Sequence, residues 1–211
     1  MRKTLGVICC ALTGAAAGLS CEASPAARLA LKAGAMQNAV EQLDRGWQFR
    51  QVGSGAEEAE SGWLPASVPG DVHLDLLANK KIPDPFFGDN EAKLQWIEKE
   101  SWEYRVNFDC TPAQLARSNV ELVFDGLDAA AEVYVNGAQA LVADNSFRVW
   151  RVPVKDRLHA GRNLLRVVFP SPLKAAHEAA SRDPFRLNSK TEDKTYIRKA
   201  AYEWGWDWGP R

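Results

Sequence analysis

The heptapeptide AEVYVNG, residues 131–137, decides the fold class of this chain. Apolar and polar residues alternate from Ala131 to Val135, which is the period of a strand with one buried face. Asn136-Gly137 follows at once, and this dipeptide favours a two-residue hairpin turn in which both residues take positive φ angles. The stretch therefore predicts a strand that ends in a tight antiparallel hairpin.

Strand patterns continue on both sides of this hairpin. Residues 102–108 (WEYRVNF) alternate large apolar with polar residues. Residues 164–169 (LLRVVF) are more continuously apolar, so we expect that strand to be buried on both faces. Further strands are predicted at residues 47–49, 120–124 and 146–154, and short helices at residues 71–78, 90–97 and 172–180. Many strands with few helices favour an all-β fold, an antiparallel β-sandwich.

Length, composition and charge narrow the classes of partner. The 211 residues suffice for one domain plus a targeting segment, and 46% hydrophobic with 25% charged residues is typical of a globular protein. The formal net charge is −1, so there is no broad basic field to attract nucleic acid or an anionic membrane surface. We therefore expect no nucleic-acid partner and, with one alternative discussed below, no membrane partner.

The first residues have the pattern of a secretory signal peptide. Arg2-Lys3 is a short positive region, and residues 5–17 are apolar and small. We assign residues 1–23 to the signal peptide and residues 24–40 to a flexible lead-in. This assignment predicts an exported protein, either periplasmic or secreted.

The signal-peptide assignment also determines how many cysteines the mature domain keeps. Three of the four lie in or at the edge of the signal segment, which leaves Cys110 as the thiol of the mature domain. We therefore expect no disulfide framework. Cys21 lies in the cleavage region, where lipidation would attach the chain to a membrane. Leu19 is one place too close to Cys21 for the usual lipoprotein box, so lipidation is kept only as an alternative.

The end of the chain, GWDWGPR at residues 205–211, is the most informative stretch for function. Three of the eight tryptophans fall in the last eight residues, around the carboxylate of Asp207. Indole faces cover the apolar face of a pyranose, and a carboxylate accepts hydrogen bonds from its hydroxyls. Trp206, Asp207 and Trp208 therefore suggest a sugar-binding wall, with domain docking as the alternative. Because no linker or polar tail follows, we interpret the chain as a fragment.

Segments spread over nearly the whole mature chain occur in a specific order, although each alone is a weak signal. They are VPGDVHLDLL at residues 68–77, IPDPFFG at 82–88, the segments at 90–98, 102–105, 124–128, 133–137 and 145–148, RKA at 198–200, and the terminal GWDWGPR. Together they resemble the N-terminal domain of the β-mannosidases of glycoside hydrolase family 2.

The resemblance implies a jelly-roll, galactose-binding-domain-like sandwich at residues 41–181, with short helices and a C-terminal loop. That loop, residues 182–211, would reach toward a catalytic (β/α)₈ barrel that this chain does not contain. Such enzymes remove terminal non-reducing β-D-mannose with retention and without a cofactor. Their substrate is a β-mannoside oligosaccharide or glycan, which Trp206, Asp207 and Trp208 would contact here.

Carboxylates elsewhere in the chain do not suggest a catalytic pair. Retaining glycosidases place two carboxyl groups about 5–5.5 Å apart. Glu98, Glu100 and Glu103 are close in sequence, and Asn90-Glu91 mimics the dipeptide around the acid/base residue of the family. We expect all of them to be solvated or structural, with Glu103 facing outward on its strand. The prediction is no catalytic residue and no metal ligand in this chain.

Two other functions stay open. A free-standing carbohydrate-binding module would need an exposed aromatic platform on the sandwich itself. The same domain could also belong to a sister family 2 enzyme, such as an exo-β-glucosaminidase, β-galactosidase or β-glucuronidase.

Overall fold

A computed structural model of the chain describes residues 10–13, 39–53, 62–185, 187 and 193–204. The strands in these ranges are β1 Cys10–Thr13, β2 Val40–Gln42, β3 Gln48–Gln51, β4 Leu64–Pro65, β5 Trp102–Cys110, β6 Glu121–Phe124, β7 Ala131–Val135, β8 Ala138–Ala143, β9 Trp150–Pro153 and β10 Gly161–Phe169. The helices are α1 Val72–Ala78, α2 Asn90–Lys93, α3 Pro112–Leu115 and α4 Pro172–Arg182, with 3-10 turns at Ile97–Lys99, Lys155–Arg157, Lys194–Tyr196 and Ala201–Trp204.

The strands form two antiparallel sheets, as the sequence predicts. One sheet has the order β2-β1-β6-β9, and the other has the order β4-β3-β5-β10-β7-β8. Strand β1 lies within residues 1–23, which the sequence assigns to a signal peptide. A single cluster of buried apolar side chains includes residues from both sheets, so the core lies between them.

Strand β5 shows how the alternating pattern builds this core. Trp102, Tyr104, Val106 and Phe108 are all buried, so the predicted apolar face of the strand is confirmed. All nine residues of β5 pair with β10 in one uninterrupted ladder. Side chains two residues apart share a face of a sheet, so this register keeps the apolar residues on one side.

The predicted hairpin is also confirmed. Val135 pairs with Ala138, and the two residues between them, Asn136 and Gly137, have φ angles of 50° and 84°. These positive values are those of the type I′ turn, whose twist matches that of the flanking strands. The Asn136 side chain stabilises the turn further, because its Oδ1 accepts a hydrogen bond of 2.9 Å from the Leu164 backbone N–H.

Strand β10 is not buried on both faces, which corrects one prediction. Leu165 and Val167 are fully buried, whereas the alternate positions, including Arg166, are half-buried. The guanidinium of Arg166 lies 4.4 Å from the centre of the Tyr134 ring, and long side chains of this kind cover the outer face. A strand beneath such side chains can be apolar at every position without facing a second core.

The helices are short, as expected. Helix α1 begins after Asp71, whose Oδ1 accepts hydrogen bonds from the backbone N–H groups of His73 and Leu74. The helix predicted at residues 90–97 is shorter, because α2 ends at Lys93 and a 3-10 turn follows at Ile97–Lys99. Among the described helices, none has both the length and the apolar character to cross a bilayer.

Candidate functional site

Trp206, Asp207 and Trp208 lie outside the described residues, so their contact with a sugar stays a prediction. The structure does describe the segment that leads to them. We call residues 193–204 the C-terminal anchor, because backbone and side-chain contacts attach this segment to the sandwich. These contacts determine where the last described residue, Trp204, lies on the domain.

The backbone of the anchor is joined to the loop after β8. Arg198 forms an isolated parallel bridge with Asn145. The carbonyl of Arg198 accepts two hydrogen bonds from Ser146, one from its backbone N–H at 3.0 Å and one from its hydroxyl at 2.8 Å. A backbone carbonyl held by two donors gives this point of the anchor a fixed position.

Lys199 forms the charged part of the anchor. Its Nζ lies 2.5 Å from Oδ2 of Asp128 and 3.4 Å from Oε2 of Glu203, and only 11% of its side chain is exposed. Asp128 is in the loop between β6 and β7, where its Oδ1 also accepts a hydrogen bond of 2.6 Å from the Ala129 backbone N–H. One lysine therefore connects a loop of the sandwich with the 3-10 turn that ends the anchor.

The charges around Lys199 shift its pKa. Burial alone would lower the pKa of Lys199, but the carboxylates of Asp128 and Glu203 outweigh this effect, and the pKa is raised. Lys199 is therefore protonated at neutral pH. Burial raises the pKa of Glu203, and the opposing influence of Lys199 does not fully compensate. We call these three side chains, Lys199, Asp128 and Glu203, the charged cluster. It is partly buried and contains two carboxylates and one ammonium group.

Helix α1 is close to the anchor and has its own buried polar contacts. Oδ1 of Asp75 accepts a hydrogen bond of 2.8 Å from the Ser67 N–H, and Oδ2 accepts one of 2.9 Å from the Tyr104 hydroxyl. Burial raises the pKa of Asp75 in spite of these two bonds. Asp71, which caps the helix, contributes through charge repulsion to the raised pKa of Glu203. Asp71 at the start of α1 therefore lies close enough to Glu203 for the two carboxylates to interact.

The start of the anchor is attached to the region around α4. The Tyr196 hydroxyl donates a hydrogen bond of 3.0 Å to Oδ2 of Asp183 and accepts one of 2.5 Å from the Leu187 N–H. Lys194 lies 3.9 Å from Glu98. The anchor thus contacts the domain on both sides of Arg198.

The carboxylates that mimic a catalytic pair are structural or solvated. Glu91 is exposed, and Glu98 faces Lys194. Glu103 points to the outer face of its sheet, as expected, and is only 2% exposed there, so its role is structural. Arg50 and Arg166 each lie 2.8 Å from its carboxylate, and these ion pairs make its burial possible.

The tryptophans of the sandwich are used in packing. Trp47 and Trp102 are buried. The ring of Trp63 has the guanidinium groups of Arg50 and Arg105 at 4.4 and 4.0 Å, and the ring of Trp150 has Arg148 at 4.2 Å. Trp96 packs against Trp102, with ring centres 6.0 Å apart. These five rings are engaged by neighbouring side chains of the sandwich.

Sequence reasoning did not identify the three side chains of the charged cluster. Lys199 and Asp128 both fall in segments that resemble the family, yet nothing in the sequence relates one to the other. They are 71 positions apart, and the contact depends on the loop between β6 and β7 meeting the anchor. Within the described ranges, no group of three His, Cys, Asp or Glu side chains is placed to hold a metal ion.

The family of the chain follows from comparison with known proteins. Residues 47–211 match the family model described as glycosyl hydrolase 2 galactose-binding domain-like. The match covers the sandwich and the C-terminal segment together. The chain belongs to this family.

Individual relatives agree with this assignment. The chain is 40% identical over 174 residues to the protein named β-mannosidase B from Aspergillus fumigatus, covering 80% of this chain and 20% of the relative. The solved β-D-mannosidase of Dictyoglomus thermophilum is 43% identical with a TM-score of 0.73, again over 80% of this chain and 20% of that protein. This chain therefore spans about a fifth of the length of these relatives.

A more distant structure shows the same fold. The exo-chitosanase of Amycolatopsis orientalis is 22% identical and has a TM-score of 0.52 over 60% of this chain. At this level of identity the likeness concerns the sandwich architecture alone.

Proposed function

We propose that this chain is the N-terminal domain of a retaining β-mannosidase, which removes terminal non-reducing β-D-mannose residues. The observation that carries the proposal is the similarity to the β-D-mannosidase of Dictyoglomus thermophilum, at 43% identity and a TM-score of 0.73. The similarity extends over 80% of the chain, so it involves more than a shared sandwich.

In this proposal the chain contributes substrate contacts and a separate catalytic barrel contributes the chemistry. Asp207 accepts hydrogen bonds from mannose hydroxyls, while Trp206 and Trp208 cover the apolar face of the sugar. The acid/base and the nucleophile are two carboxyl groups of the barrel, and this type of hydrolysis needs no cofactor. The contacts of the anchor support this division of roles, because they hold residues 193–204, which precede Trp206 in the chain, on the sandwich.

The test is the substrate preference of the full-length protein. Hydrolysis of p-nitrophenyl β-glycosides of mannose, glucosamine, galactose and glucuronic acid would be compared by kcat/KM. We expect the mannoside to be the best substrate by at least tenfold, with β-mannose as the first product. A preference for another glycoside would assign the domain to a sister enzyme of the family.

This chain alone is expected to have no hydrolytic activity. Glu98 and Glu103, the carboxylates that suggest a catalytic pair in the sequence, form ion pairs with basic side chains. The purified chain should release no p-nitrophenol above buffer. Sustained turnover that disappears in Glu98→Gln or Glu103→Gln would overturn the division of roles.

We also propose that the protein is exported, on the basis of the signal-like pattern in residues 1–23. Mass spectrometry of the exported protein should find a terminus between Ser20 and Ser24. An intact Met1 on protein that stays in the cytoplasm counts against export. A diacylglyceryl mass on Cys21 would instead support the lipid-anchored alternative.

A further inference from the structure

We propose that Lys199 is a positioning residue for the loop that contains Asp207, and that it acts through Asp128 and Glu203. The inference rests on the proposed function, in which Asp207 contacts the substrate. It adds a role for a side chain that would not touch the sugar itself.

In the sequence, Lys199 lies between a residue whose backbone is fixed to the sandwich and the 3-10 turn that ends the anchor. The preceding residue, Arg198, is held by hydrogen bonds from Ser146. The 3-10 turn Ala201–Trp204 follows, and it carries Glu203. Lys199 therefore connects the fixed backbone of the anchor with its last described turn, directly before the GWDWGPR stretch.

The ion pairs of Lys199 join the turn at Ala201–Trp204 to a different part of the domain. The ammonium group lies 2.5 Å from Asp128 and 3.4 Å from Glu203, and these two carboxylates come from different parts of the domain. Asp128 is itself oriented by the Ala129 N–H. The 2.5 Å contact with Asp128 is a charge-assisted hydrogen bond, which is short and strong, whereas the 3.4 Å contact with Glu203 is an ion pair without a hydrogen bond.

The loss of Lys199 should affect the loop more than the core. Ala200 is buried but lies outside the apolar cluster of the core, and most of that cluster comes from the strands of the two sheets. Without the ammonium group, Asp128 and Glu203 are like charges in a partly buried place and repel each other. The turn that carries Glu203 would move, and a displacement of about 1 Å at a reacting centre can lower the rate by roughly 100-fold.

Lys194 offers a matched control in the same segment. Its side chain is also 11% exposed, and its carboxylate partner Glu98 lies 3.9 Å away. This pair holds the start of the anchor, on the far side of Arg198 from the GWDWGPR stretch. A lysine-to-methionine change there removes a similar charge and keeps a similar volume.

The experiment compares Lys199→Met, Lys199→Arg and Lys194→Met in the full-length enzyme. We expect Lys199→Met to lower kcat/KM on p-nitrophenyl β-D-mannoside by about 10- to 100-fold. Lys199→Arg should recover part of this loss because it keeps the cation, and Lys194→Met should stay within about threefold of wild type. Hydrogen exchange should become faster in residues 200–211 of Lys199→Met and stay unchanged in β5 and β10.

Two results would overturn the positioning role. One is a loss of kcat/KM in Lys199→Met that is no larger than in Lys194→Met. The other is faster exchange in β5 and β10 to the same degree as in residues 200–211, which would indicate general destabilisation. If Lys199→Met does not fold, Glu203→Gln replaces it, with an expected loss of about 3- to 10-fold, and an unchanged value would reject the proposal.

Failure of the proposed function gives a different result. A wild-type protein that does not hydrolyse β-mannosides rejects the proposed substrate. The exchange of residues 200–211 still tests the role of Lys199, because that measurement needs no turnover.

Discussion

The sandwich core and the C-terminal anchor are held in place by different interactions. The core has long ladders, of which β5 with β10 is the longest, and fully buried side chains such as Phe49, Phe124 and Leu165. The anchor has one isolated bridge at Arg198 and a small set of hydrogen bonds and ion pairs. Apolar packing fixes the fold, whereas a few polar contacts fix the position of the anchor on it.

This difference explains where mutations should act. A change in the core removes dispersion and hydrophobic contacts and lowers the free energy of unfolding. A change in the anchor removes one or two directional contacts, so its first consequence should be the placement of the GWDWGPR stretch.

Phe124→Ala should cause the largest loss of stability. Phe124 is fully buried on β6, and replacing a buried phenylalanine by alanine costs about 3–5 kcal/mol. The midpoint of urea unfolding should therefore fall strongly. Phe147→Ala is the control, because Phe147 is 70% exposed and should change the free energy of unfolding by less than about 0.5 kcal/mol. Equal losses in the two variants would refute the assignment of the core.

Gly137→Ala should have an intermediate effect through the backbone of the hairpin. Gly137 has a φ angle of 84°, and a β-carbon in the left-handed region costs about 1–2 kcal/mol. Gly137→Asn should lose less, because asparagine tolerates this region better. The measurement is urea unfolding of both variants. A loss in Gly137→Asn larger than that in Gly137→Ala would contradict the conformational explanation.

Asp75→Asn should change how the free energy of unfolding varies with pH more than it changes that free energy at any single pH. Burial raises the pKa of Asp75, so its contribution to stability is fully present below its unfolded pKa and is lost as pH rises through the folded pKa. The advantage of wild type over Asp75→Asn should therefore shrink as the pH rises above about 4. Each pH unit between the two pKa values corresponds to about 1.4 kcal/mol. An advantage that grows with pH would mean a lowered pKa.

The elements that local patterns specify were predictable from the sequence. Alternation identified β5, and Asn136-Gly137 identified the hairpin, because both depend on neighbours in the chain. The burial of Glu103 was not predictable, since it depends on Arg50 and Arg166 from two other strands. The pairing of Lys199 with Asp128 was missed for the same reason. Tertiary contacts between charged side chains leave no periodic trace in the sequence.

We expect Asp207, in the stretch after the anchor, to contact the substrate. The most direct test is kcat/KM of Asp207→Ala in the full-length enzyme on p-nitrophenyl β-D-mannoside, with the melting temperature measured beside it. A hydrogen bond to a charged group contributes about 1.5–3 kcal/mol, so kcat/KM should fall by about 10- to 100-fold or more while the melting temperature stays nearly unchanged. Asp207→Asn should lose less, because the amide oxygen still accepts a hydrogen bond. A nearly normal kcat/KM together with much earlier melting would show that Asp207 is a structural brace and does not contact the substrate.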